Sequence, residues 1–248
     1  MKLSIITVSY QNTDELSATY SSVVANIRGL DVDAQANVEH LIVDGGTPGF
    51  DPSHYPHSIS ISEPDNGPFD AMNKGLAMAR GEYVIFLNSG DRFFENVCLT
   101  DVIPALIGTV EIVAGNALIS GFGTSRISSL SPYVCHQAAF IPRRALQPGF
   151  DANLRFYGDL DMWYRLEQAG NFHVRRLNRV ICAFSLGGIG NNPRYTIQRL
   201  KEKAMVRKRH GLRPITLTMV IRALIEVPAS QLPISAYYKL MVSLEALR

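Results

Sequence analysis

Apolar residues along the first third of the chain fall into short, near-continuous runs separated by polar turns. Leu3 to Tyr10 reads as a buried strand, and Asp14 to Arg28 follows as a helix with Leu16, Tyr20, Val23, Val24 and Ile27 on one face. Val38 to Val43 is a second strand ending in Asp44-Gly45-Gly46, and Ile59 to Ser62 a third ending in Glu63-Pro64-Asp65-Asn66-Gly67. A helix from about Asp70 to Ala79 is closed by Arg80-Gly81, with Gly as the stop signal. The fourth strand is Tyr83 to Leu87, and Asn88-Ser89-Gly90-Asp91 follows it. Strands with helices between them, each ending in a polar or Gly-rich turn, have the rhythm of an α/β fold with a mostly parallel, doubly wound sheet. The turns then share one edge, and in such sheets that edge binds ligands.

After Asp91 the rhythm changes. Val97 to Ile107 reads as helical despite Pro104, Glu111 to Ser120 as a strand, and Gly121 to Pro132 as a Gly/Ser-rich loop. His136 to Arg143 reads as a strand, Asp159 to Ala169 as a helix closed by Gly170, and Phe172 to Ser185 as mostly strand. Leu186 to Asn192 is a Gly-rich loop, and with Arg194 after it this is a candidate lid. From Tyr195 the chain turns helical and basic, and Pro214 to Arg248 mixes apolar residues with Arg222, Lys239 and Arg248. Such a tail suits either an anionic membrane surface or a solvated helix packed on the domain.

Composition narrows the class. At 248 residues, 46% hydrophobic and 19% charged, the chain is long and apolar enough for a globular core. A net charge of +2 gives no reason to expect nucleic acid. Cys98, Cys135 and Cys182 are odd in number, widely spaced and without a CxxC pair, which argues against a disulfide framework and a zinc site and makes the cytoplasm the expected compartment. The N-terminus reads as a first strand and not as a signal peptide, and no run approaches the roughly 20 apolar residues of a membrane span.

The phosphate cradles GxxxxGK[ST] and GxGxxG are absent, as are HExxH and GxSxG. What remains is a set of acidic and amide side chains at strand ends. Such oxygens suit a hard divalent cation, whose usual task beside them is to neutralise a diphosphate.

Six stretches in order, LSIITVSYQN, LIVDGG, SEPDNGPFDAMNKG, GEYVIFLNSGD, HQAAFIPR and FYGDLDMWYRL, resemble the family 2 glycosyltransferases, and among these the bacterial exopolysaccharide enzymes of the colanic acid type. The resemblance spans about Met1 to Gly190. It implies a GT-A fold over residues 1–190, with a nucleotide-sugar half at 1–95 and an acceptor half at 96–190, and leaves 191–248 as a helical, basic extension. It further implies a UDP- or GDP-hexose donor, Mg²⁺ or Mn²⁺, inversion at the anomeric carbon, and a lipid-linked saccharide acceptor at the inner face of the plasma membrane.

By position, Thr7, Val8, Ser9 and Asp44 match the nucleoside region, and Asp65, Asp70, Asn73 and Lys74 match the family signature beside the donor. Asp44 reads equally as a turn residue bonded to its glycines, and Asp70 as a helix cap. Where relatives carry DxD, this chain has Asn88-Ser89-Gly90-Asp91, so Asp91 is the one carboxylate for the metal and Asn88 a neutral oxygen beside it. Asp159 matches the catalytic base, while a plain reading makes it a helix cap. Asp161, two residues on, points elsewhere and has Arg165 as its i,i+4 partner. His136 and Gln137 match the donor and acceptor junction. Trp163 is an acceptor-side candidate whose helical position favours core packing. A nucleotidyltransferase would share the sheet and metal but calls for a basic Gly-rich loop after the first strand, where SYQNTDE stands. A non-catalytic sugar-nucleotide-binding homologue is the alternative that the missing carboxylates raise.

Overall fold

The computed structural model describes residues 1–95, 98–107, 111–121, 124–127, 135–190 and 192–245. In chain order β1 (Leu3–Ser9), α1 (Thr13–Arg28), α2 (Val32–Gln35), β2 (Val38–Asp44), β3 (Ile59–Ser62), α3 (Pro68–Met78) and β4 (Tyr83–Phe86) make the first half. Then come β5 (Arg92–Phe93), α4 (Cys98–Val102), β6 (Ile112–Gly121), β7 (Thr124–Ile127), β8 (Ala139–Pro142), α5 (Gly158–Gln168) and β9 (Val174–Ser185). Three helices close the chain, α6 (Thr196–Arg209), α7 (Leu217–Ala229) and α8 (Ile234–Glu245).

The described strands form one sheet in the order β3-β2-β1-β4-β8-β6-β9-β5, with β7 paired to β6. The first four strands are mutually parallel, and every residue of β1 and β2 is buried, as expected for strands covered on both faces. Alternation divides them cleanly. Ile6 and Val8 join Phe69 and Met72 of α3 and Met162 and Trp163 of α5 in one core. Leu3 and Ile5 join Val23 of α1 and Leu99 and Val102 of α4 in the other. Helix α3 lies flush on the sheet because Gly75 lacks a side chain: a Cβ there would stand 2.5 Å from Ile6 Cγ2.

Direction changes at β8, which pairs antiparallel with β4 (Val84 with Ile141) and with β6, while β9 runs parallel to β6. This is the α/β sheet expected from the sequence, with strict parallelism confined to its first four strands. Pro104 cuts the helix expected over Val97 to Ile107 to the short α4 and a 3-10 turn, because proline cannot donate to the helical ladder. The strand expected from His136 begins only at Ala139, since His136–Ala138 form a 3-10 turn. Within the loop expected over Gly121 to Pro132, Thr124–Ile127 is a strand, and residues 122–123 and 128–132 lie outside the described residues, as does Asn191 of the candidate lid.

One buried histidine makes stability depend on pH. His40 in β2 is 2% exposed, with Nε2 3.0 Å from Thr7 Oγ1 and Nδ1 2.7 Å from Ser58 Oγ. Burial pushes its pKa down to about 3, so the folded ring stays neutral where an unfolded one, titrating near 6.5, gains a proton. The unfolded state therefore binds more protons between those values, and stability falls as pH drops below 6.5, by about 2 kcal/mol at pH 5. Glu39, whose carboxyl is held below its usual range against the opposing effect of burial by Ser4 and Arg80, adds a loss of the same sign at lower pH. Urea unfolding at pH 7 and pH 5 should show that fall in the wild type and a flattened one in His40→Gln, whereas equal slopes would exclude His40 as its source.

Candidate active site

Parallel register brings the carboxyl ends of β1, β2 and β3 into a row, with Ser9 beside Asp44 and Asp44 beside Ser62. Asp44 is 1% exposed and fully engaged. Its Oδ2 accepts from Gly46 N (3.1 Å), Thr47 N (2.7 Å) and Ser62 Oγ (2.7 Å), and its Oδ1 accepts from Thr47 Oγ1 (2.6 Å). Thr47 Oγ1 in turn accepts from Gln11 N at 2.7 Å, which ties the loop after β1 to the loop after β2. Gln11 is the one described non-glycine residue with positive φ, at 51°, so this loop is held in a conformation few side chains adopt. Thr47, Ser62 and Gln11 were not singled out from the sequence, because nothing local marks residues whose partner is a carboxylate on another strand.

Other candidates divide by what their side chains touch. Thr7 is wholly buried against His40, Val8 is core, and Ser9 is buried at the strand end, so Thr7 and Val8 turn no side chain toward the edge. Asp65 Oδ1 accepts from Gly67 N (2.8 Å), and Asp70 Oδ2 accepts from Asn66 N (2.9 Å), shaping the loop that leads into α3. Lys74 Nζ donates to Pro64 O (2.6 Å) and pairs with Glu63 (2.9 Å), bracing the same loop. Asn73, placed by the resemblance beside the donor, has its amide committed elsewhere: Nδ2 donates to Phe150 O and Oδ1 accepts from Phe150 N, both at 2.8 Å.

Asp161 is likewise internal. It is 2% exposed and accepts from Arg165 Nε (3.1 Å), Arg209 (3.2 Å) and His210 Nε2 (2.9 Å), so the i,i+4 pairing holds and α6 is locked onto α5. Trp163 is 2% exposed with its ring edge-on to Phe172, which makes it core and removes it from the acceptor side.

Asn88, Asp91, His136, Gln137 and Asp159 do come together. Because β8 runs antiparallel to β4, the residues before β8 lie beside those after β4. Gly90, with φ of 96°, turns the chain so that Asp91 Oδ2 accepts from Asn88 N at 2.9 Å. Asp91 is 7% exposed. Burial pushes its pKa up to about 7, against the opposing pull of His136 and hydrogen bonds from Asn88 N–H and Gln137. Asp159 sits in the first turn of α5, which approaches α3 so closely that a Cβ on Gly158 would stand 2.7 Å from the Phe69 ring. Glu202 of α6 accepts from the N–H groups of Arg155, Phe156 and Tyr157 (2.7 to 3.0 Å), fixing the approach to α5.

His136 Nδ1 donates to Asp159 Oδ2 at 3.1 Å. Burial opposes a charged ring there, but Asp159, Cys135 and Asp91 outweigh it and push the pKa up to about 9, so the imidazole is a cation at neutral pH. Two polar atoms in this cluster are buried without a protein partner, His136 Nε2 and Asn88 Oδ1. A buried polar atom without a partner is costly unless a ligand supplies one. The chemistry of the acceptors also fits a divalent cation: a desolvated carboxylate and an unpartnered amide oxygen both gain from one, and Mg²⁺ or Mn²⁺ readily takes its remaining ligands from phosphate and water. Among the described residues no group of three His, Cys, Asp or Glu forms a complete metal cage. A cavity of about 510 Å³ lined by Met1, His40, His57 and Arg80 lies at the amino edge of the sheet, away from this cluster.

The family model for Glycosyl transferase family 2 matches residues 4–167. An uncharacterised glycosyltransferase of Mycobacterium tuberculosis is 29% identical, the match covering 77% of each chain. A PGL/p-HBAD biosynthesis glycosyltransferase of Mycobacterium bovis is 27% identical over 62% of this chain and 68% of its own. A mannosyltransferase of Pyrobaculum calidifontis, solved with GDP-Man and Mn²⁺, superposes with a TM-score of 0.62 at 15% identity, covering 99% of this chain and 80% of that one. S. aureus TarS 1-349 with UDP-GlcNAc also gives 0.62, at 14% identity and with 93% and 72% covered. These two show a shared fold, the GT-A architecture.

The Asn73 clamp is testable without a ligand. Asn73→Ala leaves the Phe150 N–H and carbonyl unpaired and should lower the unfolding free energy by about 2 kcal/mol in a urea melt. Asn73→Asp, which keeps the acceptor for Phe150 N–H but turns a carboxylate oxygen toward the Phe150 carbonyl, should lose at least as much at neutral pH. A melt unchanged in both would mean that the clamp does not support the fold.

Proposed function

We propose, from the fact that this chain belongs to glycosyl transferase family 2, that it transfers a hexose from a UDP- or GDP-sugar, with inversion, to a hydroxyl of a lipid-linked saccharide in surface polysaccharide biosynthesis. The observation that carries the reading is the cluster at the carboxyl edge: Asp159 on His136, with Asp91 and Asn88 beside them. GDP-Man and UDP-GlcNAc in the two solved neighbours support a nucleotide-sugar donor.

In a single displacement the acceptor oxygen attacks the anomeric carbon, the bond from that carbon to the diphosphate breaks, and the hydroxyl proton passes to Asp159 Oδ. His136 holds that carboxylate in place through Oδ2, while Leu160 N donates to its other oxygen at 2.8 Å. Asp91 and Asn88 Oδ1 would hold Mg²⁺ or Mn²⁺, whose chemistry here is to neutralise the leaving diphosphate. The loops knitted by Asp44, Asp65 and Asp70 would form the wall for the nucleoside, held in a fixed arrangement by these internal hydrogen bonds.

Nucleoside diphosphate release from a panel of UDP- and GDP-sugars, with and without Mg²⁺ or Mn²⁺ and with a membrane lipid extract as acceptor source, tests this. Asp159→Asn should lower transfer about 10³-fold with donor binding retained, the scale of a lost general base. Asp91→Ala should abolish stimulation by metal. Full turnover in Asp159→Asn would place the base elsewhere. A wild type that binds a donor and never releases the diphosphate would favour the non-catalytic homologue.

A further inference from the structure

Helix α7 buries Met219 and Ala229 but leaves a second apolar face uncovered. Its inward side carries Glu226, 3% exposed, which accepts from Arg222 and lies 3.7 Å from Arg199 of α6. Its outward side carries Leu217, Val220, Ile221 and Leu224, exposed by 75, 42, 49 and 71%. The spacing i, i+3, i+4, i+7 puts these four on one face. A helix packed only against its own domain turns such a stripe inward, so this one is built to be covered from outside.

Apolar exposure continues on both sides of α7. Leu212 and Ile215 precede it, and Leu232, Ile234 and Leu240 follow, each exposed by 38% or more. Exposed cations precede the stripe in the chain: Lys201 and Lys208 on α6, and Arg213 in the connection to α7. Residues 196–248 hold ten Lys and Arg against three Asp and Glu, which gives that segment +7 and leaves −5 on the rest of the chain. Of the three acids, Glu202 is committed to the backbone before α5 and Glu226 is buried.

We propose that the outward face of α7 lies in the headgroup layer of an anionic lipid membrane, with Lys208 and Arg213 against lipid phosphates. Charge decides the occupant. A second copy meeting this face would bring the exposed Lys208 and Arg213 toward their own like charges, and a nucleic acid offers phosphates but nothing to cover four aliphatic side chains. No described helix is long and apolar enough to cross a membrane, so the contact is interfacial. The position also serves the reaction: Tyr157, two residues before Asp159, lies within the electrostatic reach of Arg199, Arg222 and Glu226, so α7 flanks the acceptor side. That last link rests on the proposed transfer to a lipid-linked acceptor; the docking surface itself does not.

The test is co-sedimentation of the full chain with phosphatidylcholine vesicles and with vesicles containing phosphatidylglycerol, at low and high salt. The wild type should bind the anionic vesicles, release them in salt, and ignore the neutral ones. Leu217→Ser/Ile221→Ser/Leu224→Ser and Lys208→Glu/Arg213→Glu should each bind about tenfold more weakly or worse, with thermal melts unchanged because these side chains are exposed. A wild type that does not sediment, or a triple variant that binds as the wild type does, overturns the proposal. So does a solution dimer that the triple variant splits and vesicles leave intact. A wild type that turns over a donor but ignores vesicles sinks this inference alone. One that binds vesicles and turns over no donor sinks the transfer reading and leaves the docking surface standing.

Discussion

The reversal of strand direction between β4 and β8 is the constraint on which the site depends. Four parallel strands place every following turn at one edge of the sheet, and that alone assembles Ser9, Asp44, Ser62 and Asn88. A parallel β8 would have put its preceding residues at the opposite edge, roughly a strand length of about 13 Å away. Run antiparallel, it delivers His136 to the turn that holds Asp91, where it meets Asp159 on the helix that follows. The sheet that buries the core on both faces therefore also sets the distance between a carboxylate, an imidazole and a second carboxylate.

The charge states of Asp91 and His136 are set by their surroundings and by each other. Burial raises the pKa of Asp91 toward 7 because water is withdrawn from the carboxylate, and His136 opposes that shift only because it stays protonated. His136 stays protonated in turn because Asp159 bonds to it. The remaining polar residues along the edge are internally satisfied: Asp44 organises a loop, Asn73 clamps Phe150, Lys74 braces Glu63 and Pro64, and Asp161 locks α6. What is left over, Asn88 Oδ1 and His136 Nε2, marks where a ligand has something to satisfy.

Much of the first half was legible because buried strands and amphipathic helices write their periods into the sequence, and β1, β2, β3, α3 and β4 lie within two residues of where the pattern puts them. The two-residue β5 and four-residue α2 are too short to carry a period, and Pro104 proved decisive over a helical apolar pattern. Site residues were legible as a group of polar positions at strand ends, but not by role. The Asp161–Arg165 pair shows in the spacing, whereas Arg209 and His210 reach the same carboxylate from across the fold. Asn73 sits in a stretch matched to the donor, yet its partner is a backbone 77 residues away that no motif records. Trp163 followed its helical position into the core.

The amphipathic period of α7 was visible too, but a period does not say which side faces the protein. Packing does, and here it places Met219, Ala229 and an ion pair inside and leaves Leu217 and Leu224 outside. Desolvating Glu226 with Arg199 is at best weakly favourable, so this contact gives α7 an orientation more than it gives the fold stability. Leu217 and Leu224, the most exposed of the outer face, forgo most of the about 1.5 to 3 kcal/mol that a core position would give each. An arrangement that wins little inside and forgoes that much outside is hard to account for in water alone. At a headgroup layer the outer term would change sign, since the stripe would be buried while the exposed cations of the C-terminal segment met phosphate. The same orientation sets Arg222 and Glu226 within electrostatic reach of Tyr157, two residues before Asp159, so the proposed docking face belongs to a helix that adjoins the carboxylate proposed to activate an acceptor.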